Sequence, residues 1–374
     1  MTHFIQKLVG TLLPGSAALL CTLSQAQVIA PNVAMPFYTP GSFMQGVYRG
    51  WYAPQAVDFL KQSSQLAVAM GVLCDAPVVD LAGAAASLQQ AKTQWQAAAA
   101  AWGRLSSVQI GPLLQRRSVR QIDFTPTRPE LIVRAIEAAP ADAGAMETIG
   151  TPAKGLPALE WLLYTRPAVP ALTGTPDCRY AVQVAREIER EGAALSQAFN
   201  ALAEKELGEE EETSVSAMGE LVNQWVGAIE HLRWADMGKP LLAGASATAS
   251  SADSGRKAGN AFPRMASGQT AASWQAQWLA LRAITASQAR EAPQPGAGLA
   301  PLETYLRGRG LNPLANTLAQ TVAKTDRAMQ NPTPANKASM TAATRALANL
   351  KKLAEAQVAP ALHVNVGFSD ADGD

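Results

Sequence analysis

The sequence predicts an all-α protein built as two related antiparallel helical bundles, with one disulfide between helices. Three observations carry this. Apolar residues recur at helical spacing through an Ala-, Leu- and Gln-rich chain that has few β-branched runs. A Leu-rich motif occurs twice. Two cysteines lie at opposite ends of predicted helices.

The first 26 residues have the pattern of a secretory signal. Lys7 is the basic residue, an apolar run follows from Leu8 to Leu20, and Ser24-Gln25-Ala26 fits a small-x-small cleavage site. A lipid anchor at Cys21 is the alternative, with Leu20 a poor residue before it. No later run is apolar enough for a membrane span. The expected location is the periplasm.

The mature chain is expected to hold a first bundle at 27–208 and a second at 209–374. Phe59, Leu60, Ser63, Leu66, Ala67, Met70 and Leu73 mark one face of the first long helix. The second runs from about Asp80 to Ser106, with Trp95 and Trp102 on one face. Val184, Ile188, Leu195, Phe199 and Leu202 form a third seam. Leu221, Trp225, Ile229 and Leu232 form a fourth. Met340, Leu347, Leu350, Ala354 and Val358 form the last, stopped by Pro360. The stretch 111–129 carries Gly, Pro and several arginines and is expected as an ordered loop. The Ser/Ala/Gly tract 243–259 is expected as a mobile one. Glu209 to Glu212 suit the start of the next helix.

Without Lys7 the chain carries 30 basic and 30 acidic side chains. This balance gives no electrostatic reason to expect nucleic acid or an anionic membrane as partner. Cys74 and Cys178, with no CxxC spacing, are most simply one disulfide; two buried thiols are the alternative. A bridge over so long a loop is worth about 4–5 kcal/mol in the chain-entropy model.

Gly155-Leu156-Pro157-Ala158-Leu159-Glu160-Trp161-Leu162-Leu163-Tyr164 places one glutamate in an apolar helix. A buried carboxylate costs several kcal/mol unless paired or hydrogen-bonded, so Glu160 needs a partner. Arg116, Arg117, Arg120 and Arg128 crowd the preceding loop and are candidates. The motif Gly-Leu-x-x-Leu-Glu-x-x-Leu recurs at Gly298 to Leu306, again after Trp-bearing sequence (Trp274 and Trp278). That recurrence is the case for an internal duplication, with a ligand crevice between the halves.

The decapeptide resembles the signature of the imelysin family, exported two-bundle helical proteins whose presumed metal or catalytic motif is Gly-x-His-x-x-Glu. Trp102 through Gly111-Pro112 to Ile122-Asp123-Phe124, Lys239-Pro240-Leu241, and the ending Val366 to Asp374 are also similar to family blocks. The family has been linked to peptidase activity and to iron uptake. Here Pro157 stands where the histidine is expected, and proline offers no side-chain donor. The resemblance therefore implies a related fold with altered chemistry.

Other catalytic signatures are missing. His231 and His363 are the mature chain's histidines, and no HExxH, G-x-S-x-G or phosphate-loop motif occurs. The expected function is a non-catalytic binding or accessory protein tied to iron or other metal uptake and to envelope transport components. The alternatives are a divergent metal-dependent peptidase and a structural envelope module. Glu160, Arg117, Arg120 and Trp102 are the candidate ligand-binding residues. A divalent metal or iron would be held by Glu160 with Asp372 and Asp374 of the acidic tail.

Overall fold

The computed structural model describes residues 35–75, 81–165, 174–208, 211–243, 262–287 and 291–367. The signal segment, nearly all of the Ser/Ala/Gly tract, and the terminal Asp372 and Asp374 lie outside the described residues. Every regular element among the described residues is helical. None of these helices is long and apolar enough to cross a membrane.

Helix α1 (Pro40–Val47) passes through a π-helical stretch, Tyr48–Tyr52, directly into α2 (Ala53–Asp75). Its start is fixed locally. Thr39 accepts from the Ser42 N–H, Ser42 accepts from the Thr39 N–H, and Pro40 takes the first helical position, where its missing N–H costs nothing. Helix α3 follows (Leu81–Ser106). The stretch expected as a loop is ordered but contains two short helices, α4 (Pro112–Gln115) and α5 (Ser118–Ile122), before α6 (Pro129–Glu137) and α7 (Ala143–Glu147). Arg116 from this stretch grips the buried Glu191 with two hydrogen bonds of 2.9 and 2.7 Å, and Ser118 adds a third.

Helix α8 (Gly155–Tyr164) carries the motif glutamate, and α9 (Pro176–Glu204) packs along it. Gly155 has φ +74°, and a Cβ there would lie 2.3 Å from the Ile122 carbonyl oxygen. Only glycine lets α8 start this close to the end of α5. Pro157 is the third residue of α8, still in the turn whose N–H groups have no intrahelical acceptor. Proline is thus accommodated at this position without cost to the helix ladder.

Helix α10 (Glu212–Glu230) runs into a second π-helical stretch, His231–Gly238. Then come α11 (Thr270–Thr285), α12 (Leu302–Gly308), α13 (Asn312–Ala328) and α14 (Lys337–Leu353). The last helix does not stop before Pro360. It continues through a π-helical stretch, Ala354–Val358, into a final turn α15 (Ala359–Ala361).

Two groups of helices emerge. Helix α2 packs on α3 and α9, and α8 on α3 and α9; α14 packs on α10 and α13, and α12 on α13. Contacts of α3 with α11, and of α1 with both α9 and α10, tie the groups together. The core is large and aromatic: Trp95, Trp102, Trp225, Trp274 and Trp278 are all buried. Three of them donate their indole N–H to an acceptor, as buried polarity demands. Trp95 donates to the Leu156 carbonyl at 3.0 Å, Trp225 to Thr285 Oγ1 at 2.8 Å and Trp278 to Asp326 Oδ1 at 2.9 Å.

The two copies of the Leu-rich motif fall on different local structure. Gly155 opens α8 and puts Glu160 in its second turn, whereas Gly298 precedes α12 by four residues and puts Glu303 in the first turn. Both glutamates are buried, but Glu303 is held by Arg307 of its own helix.

The disulfide forms as expected: Cys74 in the last turn of α2 joins Cys178 in the first turn of α9, with Cα atoms 5.6 Å apart.

Candidate functional site

Glu160 faces inward from α8 and is 5 % exposed. Its partners come from the chain just before α11. The Ser267 backbone N–H donates to Glu160 Oε1 at 3.0 Å and the Ser267 hydroxyl donates to the same oxygen at 2.7 Å. Arg264 Nη1 lies 3.6 Å from Glu160 Oε2.

Arg264 is the hub. Its Nη2 donates to Asp123 Oδ1 at 2.6 Å, and its guanidinium lies over the Trp95 ring, 5.4 Å from the centroid. That tryptophan is itself bonded to the α8 backbone at Leu156, so the cation is fixed by α3, the end of α5 and α8. Arg264 is buried and adopts φ +61°, a left-handed conformation that costs a non-glycine residue about 1 kcal/mol or more. The surrounding contacts hold it there.

Beyond Asp123 the polar network continues. Asp236, in the π-helical stretch after α10, accepts from Gln277 Nε2 of α11 at 2.6 Å and faces His231 Nε2 at 3.4 Å. Burial pushes the Asp123 carboxyl above the usual carboxylate range; Arg264 opposes this, while Asp236 and Glu160 add to it. Asp236 raises the His231 imidazole above its ordinary value, with burial acting the other way and Asp123 adding to the rise.

The raised histidine has a pH consequence. A histidine with a higher affinity for protons in the folded state contributes stability that is fully present below the unfolded value of about 6.5 and is lost as pH rises through the folded value. The thermal midpoint of wild type relative to His231→Ala is therefore expected to fall as pH rises from 6 to 8. A difference that stays flat across that range would contradict the Asp236 pairing. The imidazole is half exposed, so the effect is modest.

The donor set can be tested for a metal. Two hydrogen-bond donors of Ser267 and the Arg264 guanidinium at 3.6 Å already surround the Glu160 carboxylate, and Pro157 supplies no ligand. Among the described residues no three His, Cys, Asp or Glu side chains converge to hold a metal ion. These residues do not fit a catalytic zinc, which takes about three protein ligands.

Of the residues singled out from sequence, Glu160 is at the centre of this network. Trp102 is buried against Phe59, ring centroids 5.0 Å apart. Arg117 and Arg120 are exposed on the α4–α5 segment, and Arg264 is the arginine brought to Glu160. In the sequence Asp123 stands out only as part of a block similar to the family. Arg264, Ser267, Asp236 and Gln277 were not singled out. One signal for the first two existed: the Ser/Ala/Gly tract gives way abruptly to Phe262-Pro263-Arg264-Met265-Ala266-Ser267-Gly268 just before a Trp-bearing helix.

No protein of curated function matches the chain. The chain is similar to solved structures, among them the following two. An imelysin-like protein from Psychrobacter arcticum 273-4 aligns at TM-score 0.64 and 21 % identity, covering 88 % of this chain and 97 % of its own. A putative iron-regulated protein A precursor from Parabacteroides distasonis ATCC 8503 aligns at TM-score 0.67 and 14 % identity, covering 86 % and 94 %. At these identities the likeness speaks to the fold. The model of the Imelysin family matches residues 52–359, a span that runs from α2 to the last helical turn and takes in every residue of the Glu160 network, so the chain belongs to the imelysin family.

Proposed function

We propose that this is an exported, non-catalytic binding or accessory protein of the imelysin class that serves iron or other metal uptake in the periplasm. The observation that carries the reading is the state of Glu160. Its carboxylate is hydrogen-bonded and ion-paired within the protein, which suits a fixed recognition floor better than a general base. The ligand would meet the network at its outer edge, where His231 is half exposed beside Asp236. Arg117 and Arg120 would supply the outer wall. The name of the Parabacteroides protein links this fold to iron regulation and makes iron the first metal to test. Asp372 and Asp374 are kept in the proposal as the acids that would join Glu160 around a hard cation.

The test is metal content by mass spectrometry, calorimetric titration with iron, zinc and calcium, and a peptidase assay on unfolded substrates with the same metals. Glu160→Gln and a double Asp372→Asn, Asp374→Asn variant run in parallel. No turnover is expected with any metal. Peptide cleavage that disappears in Glu160→Gln would overturn the non-catalytic reading. Stoichiometric metal binding lost in both variants supports the cation site; binding in neither variant nor wild type removes metal as the ligand.

A further inference from the structure

We propose a second binding site, independent of the Glu160 reading, for a small monocarboxylate with an apolar body. A cavity of about 670 Å³ lies among the start of α1, the first turns of α10, the end of α12 and the extended segment after α15. That volume is within the range of small-molecule sites, roughly 300–1,000 Å³. None of the residues of the Glu160 network lines it.

Its chemistry is divided. Val215, Met218 and Leu311 give it an apolar side, and Tyr305, packed edge-on against Phe43 at 4.8 Å, belongs to the lining. Arg309 brings a positive charge and His363 an imidazole. Among the described residues neither the Arg309 guanidinium nor the His363 imidazole has an ion-pair or hydrogen-bond partner. The guanidinium instead rests over the exposed Phe37 ring, 5.0 Å from its centroid. A guanidinium held on an aromatic face keeps its N–H fork in the ring plane free for a carboxylate.

The contrast with other arginines here is informative. Arg104, Arg116, Arg233, Arg264, Arg282 and Arg307 each pair with a carboxylate, while the exposed Arg309 pairs with none among the described residues. His363 sits on the cavity wall at φ +56° because it closes the last helical turn: the Val364 N–H donates to the Ala359 carbonyl at 2.9 Å. Glu220 also contributes to the lining; its Oε1 accepts from the Gly111 N–H at 2.6 Å. Its negative charge selects against a dianion, and the apolar side selects for a ligand with a hydrophobic body.

Phenylacetate and its uncharged counterpart phenylacetamide are the probes, titrated calorimetrically into the full mature chain. Phenylacetate is expected to bind one to one, and phenylacetamide roughly tenfold or more weakly, since a charge-assisted pair is lost. Arg309→Ala should weaken phenylacetate by a similar factor, and Glu160→Gln should leave it unchanged, which separates this site from the proposed function. Equal binding of the two probes to wild type, no phenylacetate binding, or an Arg309→Ala variant that binds as well as wild type would each overturn the proposal. The probe comparison needs no variant, so it decides the matter even if Arg309→Ala folds poorly.

Discussion

An Arg264→Ala variant is expected to lose about 3–5 kcal/mol of stability, read as a lower midpoint in chemical denaturation, because removing one partner of a buried ion pair leaves uncompensated charge. Three facts set the size. Arg264 and Glu160 are each only 7 % exposed at the side chain, so solvent does not take over the lost contacts. The same guanidinium makes the 2.6 Å bond to Asp123, so two acids lose their cation together. The aromatic face of Trp95 loses its cation as well. Lysine at 264 should recover little, since a point charge cannot serve two carboxylates and a ring in one plane. The deficit should shrink in Arg264→Ala combined with Glu160→Gln, because the second change removes a charge the first one stranded. It should also shrink as pH falls. Burial has already raised the Asp123 carboxyl, and protonating it removes the repulsion that the lost arginine had offset. A loss below about 1 kcal/mol would mean that water reaches the network, and that Glu160 is not the buried carboxylate described.

Arg264 also marks how far the sequence could be read. A lone carboxylate in an apolar helix must be satisfied, and that need was visible in Glu160 and its neighbours. The identity of the partner was not. Helical periodicity reports which face of α8 is buried and carries no information about a loop 107 residues further on. Nearness in sequence pointed to the arginines of 111–129, but Arg116 serves Glu191, and Arg117 and Arg120 are exposed. The long helices were legible because their seams repeat every 3.6 residues. The π-helical stretches were not, since one extra residue in a turn leaves no compositional trace. One of them, His231–Gly238, brings Asp236 and His231 together, five positions apart, where an ideal helix would point them away from each other. The second copy of the Leu-rich motif matched in letters, yet its glycine serves a different purpose. A Cβ on Gly46 or Gly50 of the first long helix would lie 2.2 Å from the backbone at Gly298 and Leu299 respectively. Gly298 marks a crossing of two segments of the chain, while Gly155 starts a helix.

Replacing Cys74 and Cys178 together with alanine is expected to cost about 3–5 kcal/mol, comparable with the loss of Arg264 but by a different route. The bridge spans 104 residues, for which the chain-entropy model gives about 4.7 kcal/mol, and alanine fills the sites without adding polar atoms. The closed loop contains α3 through α8, and therefore Glu160, Asp123 and Trp95, but not Arg264 or Ser267. The two halves of the network meet across the boundary of the covalent loop. If the disulfide acts on the unfolded chain, the variant should keep its native spectrum and its ligand or metal behaviour while its denaturant slope steepens, because an uncrosslinked unfolded state exposes more surface. If it acts on the folded chain, by holding the end of α2 to the start of α9, the slope should stay constant and the Glu160 network should loosen, with the pH response of His231 changing alongside. The Arg264 loss appears in the native state alone, so it should leave the slope untouched. Measuring both variants in one denaturant series separates the two contributions, and an alanine pair as stable as wild type would remove the disulfide from the account of stability altogether.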